Sequence, residues 1–293
     1  MISKLYDIFR PSMTFSDRLK DRRERWWVKG QSNGLGELSG KLEGRSFMER
    51  NGFKVPEQYG LYSNIADIPD FSQLPRSFVL KPSSGYSAQN VFVIREGVNL
   101  LNGQPYDSTS IQAELNQFYK DRPFKGKFIV EEFLVNWDGK EGIPLDYKFY
   151  TFGEKIAFIH AIERNSGINL KSNRHWFMKE DWSPLGMKIQ KYQEPQETPL
   201  PKPDCYDELV HTVKKVGRTL NIFMRIDMYA TTRGAVFGEF TPTPHGGKGY
   251  TEQADRWLGR LWTGEEGGSD RSNADVGQDP SPARLMKRLL QLK

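Results

Sequence analysis

Apolar and polar residues alternate most clearly in the C-terminal third of the chain, where they predict a β-hairpin. Every second residue from Met224 to Met228 is apolar, and the residues between them are charged. A period of two is typical of a strand that buries one face. The segment from Ala235 to Thr241 alternates less regularly and is predicted to be the second strand. Gly234 suits the left-handed position of a three-residue turn, so residues 232–234 are predicted to join the strands.

This predicted hairpin carries two acidic residues, and its register decides how close they lie. The predicted pairs are Thr231 with Ala235, Tyr229 with Phe237, and Asp227 with Glu239. Like charges that face each other destabilise a sheet, and a bound cation would remove that cost. Carboxylate oxygens on rigid strands suit Mg²⁺ that is shared with phosphate oxygens. A four-residue turn would instead place the acids on opposite faces, and a surface hairpin with two solvated acids is the simpler alternative.

Periodicity elsewhere predicts a mixture of helices and strands. Apolar residues recur at a spacing of three to four from Tyr206 to Leu220, which is the pattern of an amphipathic helix. Lys41 to Arg50 is predicted to form another helix, which ends at Asn51 and Gly52. Short apolar runs predict strands at Ser77–Lys81, Asn90–Ile94, Lys127–Val135, Tyr147–Phe152 and Lys155–Ala161.

A lysine and a small, hydroxyl-rich loop follow one of these strands and suggest a phosphate site. Lys81 ends the strand, and residues 82–87 read Pro-Ser-Ser-Gly-Tyr-Ser. The backbone N–H groups and hydroxyls of such a loop can close over a phosphate chain, and the lysine can contact it. A plain hairpin loop would look similar. The glycines of residues 34–40 miss the dinucleotide-binding spacing, and the sequence contains no P-loop motif.

Charged residues interrupt two of the apolar strands. Glu131 and Glu132 are adjacent, so one of them must point toward the covered side of its strand. A buried carboxylate needs a partner, such as a ribose hydroxyl or an amino group. The alternative is an edge strand on which both glutamates are solvated. On the next strand, Lys148 shares a face with Asp146 and Tyr150.

Composition places the chain among globular proteins that bind anions. Of its 293 residues, 37% are hydrophobic, 13% aromatic and 27% charged, which argues against a disordered chain. The net charge of +5 fits a nucleotide ligand but lacks the clustered basicity of a nucleic-acid-binding protein. The single cysteine, Cys205, excludes an internal disulfide and favours a reducing compartment. No apolar run approaches a membrane span or a signal peptide, so we expect a cytoplasmic protein without stable membrane insertion or a nucleic-acid partner.

The basic N-terminal segment allows two interpretations. Residues 17–29 carry six basic and three acidic residues and include Trp26 and Trp27. Basic residues with tryptophans would suit a membrane surface or a polyanion. Because acids interrupt the basic run, we favour a salt-bridged helix whose tryptophans pack on the rest of the protein.

Five segments in this order resemble an ATP-grasp enzyme, closest to the teichuronopeptide-biosynthesis type. They are KLEGRSFMERNGFKVPEQYG, FVLKPSSGYSAQNVFVI, FIVEEFL, DYKFYTFGEKIAFI and MRIDMYATTRGAVFGEFTPTP, and the resemblance covers Lys41 to Gly247. The resemblance implies an α+β fold in which two α+β lobes clamp ATP between antiparallel sheets, after an N-terminal helical segment. The implied regions are 1–70 for that segment, 71–136 for the small lobe with the phosphate loop, 137–262 for the large lobe with the metal hairpin, and 263–293 for a flexible linker and C-terminal helix.

The resemblance also implies roles for residues at matching positions. The nucleotide would be bound by Lys81, Ser83, Ser84, Gly85, Glu131, Glu132 and Lys148, with the glutamates at the adenine and ribose hinge. Mg²⁺, or Mn²⁺ in its place, would be held by Asp227, Glu239 and Thr241. Most of the superfamily has asparagine where this chain has Thr241, which bears on a second metal site. Arg225 and Lys148 would act on the substrate carboxylate and the terminal phosphate, and His245, just past the metal strand, is a candidate for substrate contact or proton transfer.

The implied function is an ATP- and Mg²⁺-dependent carboxylate–amine ligase that acts through an acyl phosphate. The substrates would be an amino acid or amine and a uronic acid of a saccharide, or another small carboxylate. A kinase of the same fold, which phosphorylates a hydroxyl, and a non-catalytic binding or scaffold protein are the alternatives. A glycosyltransferase is disfavoured because the sequence lacks a D-x-D motif.

Overall fold

The computed structural model describes residues 13–268 except 86–88, 122, 141 and 166–168, and it contains two antiparallel sheets. The strands are β1 (Gln58–Tyr62), β2 (Ser77–Pro82), β3 (Phe92–Arg95), β4 (Val98–Asn99), β5 (Gln104–Pro105), β6 (Phe128–Glu132), β7 (Asp146–Phe152), β8 (Lys155–Glu163), β9 (Arg174–Met178), β10 (Phe223–Thr231) and β11 (Gly234–Thr241). The α-helices are α1 (Phe15–Arg23), α2 (Lys41–Arg50), α3 (Ser108–Tyr119), α4 (Tyr206–Leu220) and α5 (Glu252–Leu261). The predicted α+β class with two antiparallel sheets is confirmed.

The first sheet runs β1–β6–β2–β3–β4–β5 and is covered on one face by α3. Ile111 and Leu115 of α3 are fully buried against apolar residues of β2 and β6. A capping box between Asp107 and Ser110 satisfies backbone N–H groups at the start of this helix. Strand β1 lies before the predicted boundary at residue 70 and pairs with β6 of this sheet.

The second sheet runs β11–β10–β7–β8–β9, and its two faces differ in character. One face packs against α4 and is mainly apolar, because the even-numbered residues from Met224 to Met228 meet the buried stripe of that helix. Helix α4 has the predicted bounds, and α2 ends as predicted at Asn51 and Gly52. The other face is apolar only near Phe152 and Phe223, where α1 and α5 cover it. The remainder of that face is polar.

The N-terminal segment packs against the second sheet. Phe15 and Leu19 of α1 are fully buried, and a short π-helix, Glu24–Val28, continues the segment. Trp26 is buried as expected, whereas Trp27 is 46% exposed. The predicted start of this helix before residue 13, and the linker and C-terminal helix predicted beyond residue 268, lie outside the described residues. Among the described helices, none is long and apolar enough to cross a membrane.

The central hairpin, β10–β11, has a shorter turn than predicted. Thr231 pairs with Gly234 rather than Ala235, so the turn holds two residues, and Tyr229 pairs with Val236 rather than Phe237. Those parts of the prediction are wrong. A bulge at Gly238 then shifts the register by one residue, which restores the predicted pairing of Asp227 with Glu239. A Cβ at Gly238 would lie 3.0 Å from the Tyr229 ring and 3.1 Å from the Asp227 carbonyl oxygen, so glycine suits the bulge.

Candidate active site

The polar part of the second sheet collects charged residues from neighbouring strands. Lys148 of β7 pairs in register with Asp227 of β10, which in turn pairs with Glu239 of β11. The Lys148 Nζ lies 2.5 Å from Asp227 Oδ2 and 2.7 Å from Asp146 Oδ2. Arg164, just after β8, brings a second cation to within 2.8 Å of Asp146 Oδ2. The row therefore alternates negative and positive groups across β7, β10 and β11.

Arg225 occupies the space between the two predicted metal ligands. Its Nε and Nη2 donate to the two Asp227 oxygens at 2.7 Å each, and Nη2 also donates to Glu239 Oε1 at 3.0 Å. The expected unrelieved repulsion between the two acids is therefore wrong for the ligand-free protein. The reason is the strand period of two, which projects Arg225 from the same face as Asp227. The Arg225 Nη1 has no hydrogen-bond partner among the described residues.

The three carboxyl groups of this row respond differently to the same neighbours. Burial raises the pKa of Asp227 above its usual value, although Arg225 and Lys148 act in the opposite direction. Burial also acts on Glu239, but Arg225 and Lys148 outweigh it and lower the pKa of that carboxyl. Burial is outweighed in the same way at Asp146, where Lys148 and Arg164 hold the pKa well below the usual range. The Asp146 Oδ1 is buried and lacks a partner among the described residues.

The first sheet contributes a second ion pair. Lys81 Nζ lies 2.5 Å from Glu131 Oε1, and Glu131 is buried. Glu132 points the other way, where it accepts hydrogen bonds from Arg233 Nη2 at 2.7 Å and from the Glu57 backbone N–H at 3.0 Å. The two adjacent glutamates therefore point to opposite sides of β6. Glu131 forms an ion pair with Lys81, and Glu132 binds Arg233 and so connects the first sheet to the turn of the central hairpin.

The predicted phosphate loop begins as an anchored segment and then becomes exposed. Ser83 donates its backbone N–H to the Lys127 carbonyl at 2.7 Å, and its Oγ accepts the Lys127 N–H at 2.9 Å. Ser84 and Gly85 are exposed, and Gly85 has a left-handed φ of +124°. Tyr86 and Ser87, which complete the predicted loop, lie outside the described residues. The Ser83 hydroxyl is thus committed to the neighbouring strand, and the exposed part of the loop starts at Ser84.

Lys41 is a site residue that sequence reasoning missed. Its backbone N–H donates to the Ser83 carbonyl at 3.4 Å, which brings the start of α2 next to the phosphate loop. Burial lowers the pKa of Lys41, and the charges of Glu239, Lys81 and Glu131 also act on it. Lys41 therefore lies within electrostatic range of charged groups of both sheets. Helical periodicity gives no signal for this role, because the first residue of a helix lies outside its apolar stripe.

Asp146 and Arg164 were also not predicted as site residues. Asp146 carried a usable signal, because it lies two residues before Lys148 on the same strand and so shares its face. Arg164 follows β8 in an irregular segment, where residue spacing does not report direction. Its contact with Asp146 depends on the packing of β8 beside β7, which the sequence pattern does not specify.

His245 lies at the solvent-accessible edge of the same cluster. Its backbone is left-handed, with φ +54°, and two left-handed glycines follow it. Residue 245 is exposed, but desolvation by the surrounding protein atoms, together with the positive charges of Arg225 and Lys148, lowers the pKa of His245 to about 4. The imidazole is therefore neutral at neutral pH. Thr241, the third predicted metal ligand, places its hydroxyl 3.4 Å from Glu239 Oε1.

Comparison with known families agrees with the resemblance found in the sequence. The family described as TupA-like ATPgrasp matches residues 30–263. The chain belongs to this family. The match includes both sheets and the charged rows described above, and it confirms the predicted ATP-grasp assignment.

Solved structures that resemble this ATP-grasp chain include three enzymes. D-alanine–D-alanine ligase from Bacillus anthracis, complexed with ATP, is 14% identical with a TM-score of 0.44, and the match covers 74% of this chain and 63% of that one. The ATP-grasp ligase PsnB, complexed with a minimal precursor, is 11% identical with a TM-score of 0.39, covering 87% and 61%. N5-carboxyaminoimidazole ribonucleotide synthetase from Thermotoga maritima is 16% identical with a TM-score of 0.37, covering 77% and 49%. The chain thus spans less than two thirds of each of these proteins. No curated protein sequence matches it.

The donor set of this ATP-grasp chain fits a magnesium ion that is shared with phosphate. Mg²⁺ usually takes one or two protein carboxylates and completes its shell with water and phosphate oxygens. Asp227 and Glu239 supply two carboxylates, and the Thr241 hydroxyl adds a neutral oxygen beside them. Within the described residues no group of three or more histidine, cysteine or acidic side chains is arranged to hold a metal. Two carboxylates and a neutral oxygen suit a hard cation that completes its shell with water and phosphate oxygens.

Proposed function

We propose that the protein is an ATP- and Mg²⁺-dependent ligase that joins a carboxylate to an amine. The observation that carries this proposal is the charged row of Lys148, Asp227, Arg225 and Glu239, of which the first three are buried. Lys41 lies within electrostatic range of this row and of Lys81. A row of carboxylates and cations suits phosphoryl transfer by positioning and charge stabilisation.

In the first step a carboxylate oxygen of the acid attacks the γ-phosphorus of ATP, and the bond to the β-phosphate oxygen breaks. The products are an acyl phosphate and ADP. Lys81 and Lys41 would hold the phosphates, and Lys148 would face the transferring group. Mg²⁺ bound by Asp227 and Glu239, with Thr241 nearby, would offset the phosphate charge. Arg225 would then be released from these acids to bind the substrate carboxylate.

In the second step the neutral amine attacks the acyl carbon. The C–O bond to phosphate breaks, inorganic phosphate leaves, and the nitrogen loses a proton to solvent, which gives an amide. We infer that the acid is a small or saccharide carboxylate, such as a uronic acid, and that the amine is an amino acid or a small amine. Because the one cysteine is unpaired and the reaction needs ATP, we also infer a cytoplasmic setting.

The test is to measure ADP, inorganic phosphate and amide together while uronic acids and amino acids are screened with ATP and Mg²⁺. A ligase releases ADP and phosphate in step with the amide. Phosphate that stays on the product would show a kinase instead. Glu239→Gln should lose this coupled reaction, whereas Glu154→Gln, at an exposed turn where the glutamate pairs with Arg218, should keep it. If saturating ATP and Mg²⁺ did not raise the Tm of the wild-type protein, a non-catalytic role would be indicated.

A further inference from the structure

A buried glutamine makes direct contact with His245. The Gln190 Nε2 lies 2.5 Å from the His245 Nε2, and Gln190 is 6% exposed. The backbone around Gln190 is anchored on both sides: the Ile189 carbonyl accepts the Thr251 N–H at 2.9 Å, and Lys191 donates its N–H to the Gly249 carbonyl at 2.8 Å. Gln190 therefore holds a fixed position against the histidine, although nothing in its sequence context marks it as a site residue.

The loop that carries His245 is fixed as well. A Cβ at Gly247 would lie 2.8 Å from the Ser16 carbonyl oxygen, so α1 packs directly on this loop. A left-handed histidine is uncommon, and such backbone strain persists where the surroundings hold it in place. The His245 ring is thus held near Arg225 by two elements, α1 on the backbone side and Gln190 on the ring side.

The orientation of the Gln190 amide bears on which imidazole nitrogen carries the proton. The amide nitrogen, a hydrogen-bond donor, is the atom that faces the His245 Nε2, and with the amide in this orientation Nε2 accepts and is unprotonated. The proton of the neutral ring then resides on Nδ1, which has no partner among the described residues. An imidazole whose Nε2 is occupied is poorly placed to take up a proton there, but its Nδ1–H can donate.

The groups around His245 are cations and acids of the charged row together with residues of neighbouring elements. Arg225 and Lys148 act on the ring, and both cations are paired to Asp227, with Glu239 also bound to Arg225. His160 from β8, Tyr250 from the segment before α5, and Arg23 of α1, whose Nη1 lies 3.9 Å from a Cβ placed at Gly246, complete the set. The Arg225 Nη1 has no partner among the described residues, and a cation with a free donor attracts an anion. An anionic group of the substrate is therefore the ligand that fits beside His245 and Arg225.

We propose that Gln190 is a positioning residue that fixes His245 as a neutral Nδ1–H donor toward an anionic group of the acid substrate beside Arg225. This inference rests on the proposed function for the identity of the ligand. The tautomer of His245 in the free protein does not depend on the proposed function, so the two can fail separately.

The first experiment measures the tautomer directly. The ¹⁵N chemical shifts of the histidine rings in the full-length, ligand-free protein distinguish Nδ1–H from Nε2–H, and a His245→Gln variant assigns the signal. The expected result is Nδ1–H at pH 7.5. An Nε2–H tautomer in the wild-type protein would overturn the proposal, whether or not any ligase activity is found.

The second experiment reverses the tautomer with Gln190→Glu. A carboxylate at residue 190 accepts a hydrogen bond from Nε2–H, so neutral His245 would carry its one ring proton on Nε2 instead of Nδ1. Its Nδ1 could then no longer donate to the substrate. The carboxylate also raises the His245 pKa above its wild-type value of about 4, because a nearby negative charge favours the protonated imidazole. Below that pKa both nitrogens are protonated and the Nδ1 donor is kept. The variant should therefore bind the acid substrate normally near pH 5 and lose about 10- to 100-fold in kcat/KM as the pH rises to 8, mainly through KM.

Two further variants separate positioning from a general effect of charge or folding. Gln196→Glu adds the same charge to the same segment, where the glutamine accepts a hydrogen bond from Arg174, and should leave the pH profile unchanged. Gln190→Leu removes the contact without adding charge and should raise KM by about 2- to 10-fold at all pH values. If Gln190→Glu folds and shows the same pH profile and the same ¹⁵N tautomer as the wild type, the proposal is wrong.

Discussion

Two buried arginines, Arg22 and Arg225, contact the central hairpin, and both bind acidic side chains. Arg22 also binds backbone carbonyls, whereas Arg225 does not. Arg22 of α1 is fully buried at the end of the hairpin, where its nitrogens donate to the Phe223 and Pro242 carbonyls and to the Glu266 backbone and side chain. Its guanidinium also lies 4.7 Å from the Trp26 ring and 4.4 Å from the Trp262 ring. Every Arg22 nitrogen has a partner, and aromatic rings fill the remaining space.

Arg225 lies on the face of the same hairpin, but one of its guanidinium nitrogens makes no hydrogen bond to the described residues. Its described partners are two acidic side chains, its Nη1 has none, and the Glu239 side chain is 43% exposed. Carboxylates can exchange a guanidinium for a metal ion. The Phe223 and Pro242 carbonyls, by contrast, hold α1 on the sheet through Arg22 and do not need to be freed for a ligand. Burial of a charged network therefore does not by itself identify a ligand-binding site. A ligand-binding site is identified by hydrogen-bond partners that a ligand can replace.

The largest expected effect on stability comes from Arg22. Arg22→Met removes a fully buried cation, takes this donor from the Phe223 and Pro242 carbonyls and leaves Glu266 with fewer donors, so the free energy of unfolding should fall by about 3–5 kcal/mol. Urea denaturation measures this loss. ATP affinity of the molecules that remain folded should match the wild type. A loss of under about 1 kcal/mol would show that the Arg22 network is not a stabilising clamp.

The largest expected effect on activity comes from Asp227. Asp227→Asn should reduce Mg²⁺-dependent phosphate release by about 10²- to 10³-fold, because the metal loses a ligand at the transferring phosphate. The ligand-free protein should also lose about 1–3 kcal/mol of unfolding free energy, since Arg225 and Lys148 stay buried without their shared partner. A gain in stability would instead revive the repulsion between Asp227 and Glu239 that the sequence suggested.

Lys81 should have an intermediate effect. Lys81→Ala removes a charge-assisted phosphate contact, and the Kd for ATP should rise by about 10- to 100-fold. Lys54→Ala is a matched control, because Lys54 pairs with Glu208 on the surface. Isothermal titration calorimetry measures both variants. An unchanged Kd in Lys81→Ala would remove Lys81 from the nucleotide site.

The smallest effect is expected at an ordinary surface ion pair. Arg256 and Glu252 are four residues apart on α5, and both side chains are more than 60% exposed. Arg256→Ala should change the free energy of unfolding by less than about 0.5 kcal/mol and leave ATP binding unaltered. Thermal denaturation measures this change. A larger loss of unfolding free energy would indicate that exposed ion pairs contribute substantially to the stability of this fold.

Local patterns were sufficient to predict the elements but not the contacts between them. Helix α4 has the predicted bounds, because its apolar stripe repeats at helical spacing and Asn221 ends it in the left-handed conformation. The turn of the central hairpin was predicted one residue too long, since a bulge at Gly238 offsets a shorter turn. Both registers satisfy the same alternation, so the pattern alone could not choose between them.

In the candidate site, too, the sequence predicted residues on single strands but not the contacts between distant elements. Asp227 and Glu239 were predicted to face each other because strand period and charge are visible in the sequence, and the resemblance to ATP-grasp enzymes added Lys148 to the site. Gln190 and Lys41 were not, because each reaches the site from an element that is distant along the chain and carries no local signal. The role of Arg225 between the acids also depends on side-chain direction, which becomes apparent only when the strands are paired.

The most direct test of the central claim is the effect of Mg²⁺ on ATP binding in the wild type and in Asp227→Asn, measured by isothermal titration calorimetry with Mg²⁺ or with EDTA. If the charged row on the hairpin is a metal–nucleotide site, Mg²⁺ should tighten ATP binding to the wild-type protein by at least about 10-fold, which is about 1.4 kcal/mol. It should give little gain in Asp227→Asn. An equal Mg²⁺ dependence in both proteins, or no ATP binding by the wild type, would contradict the account.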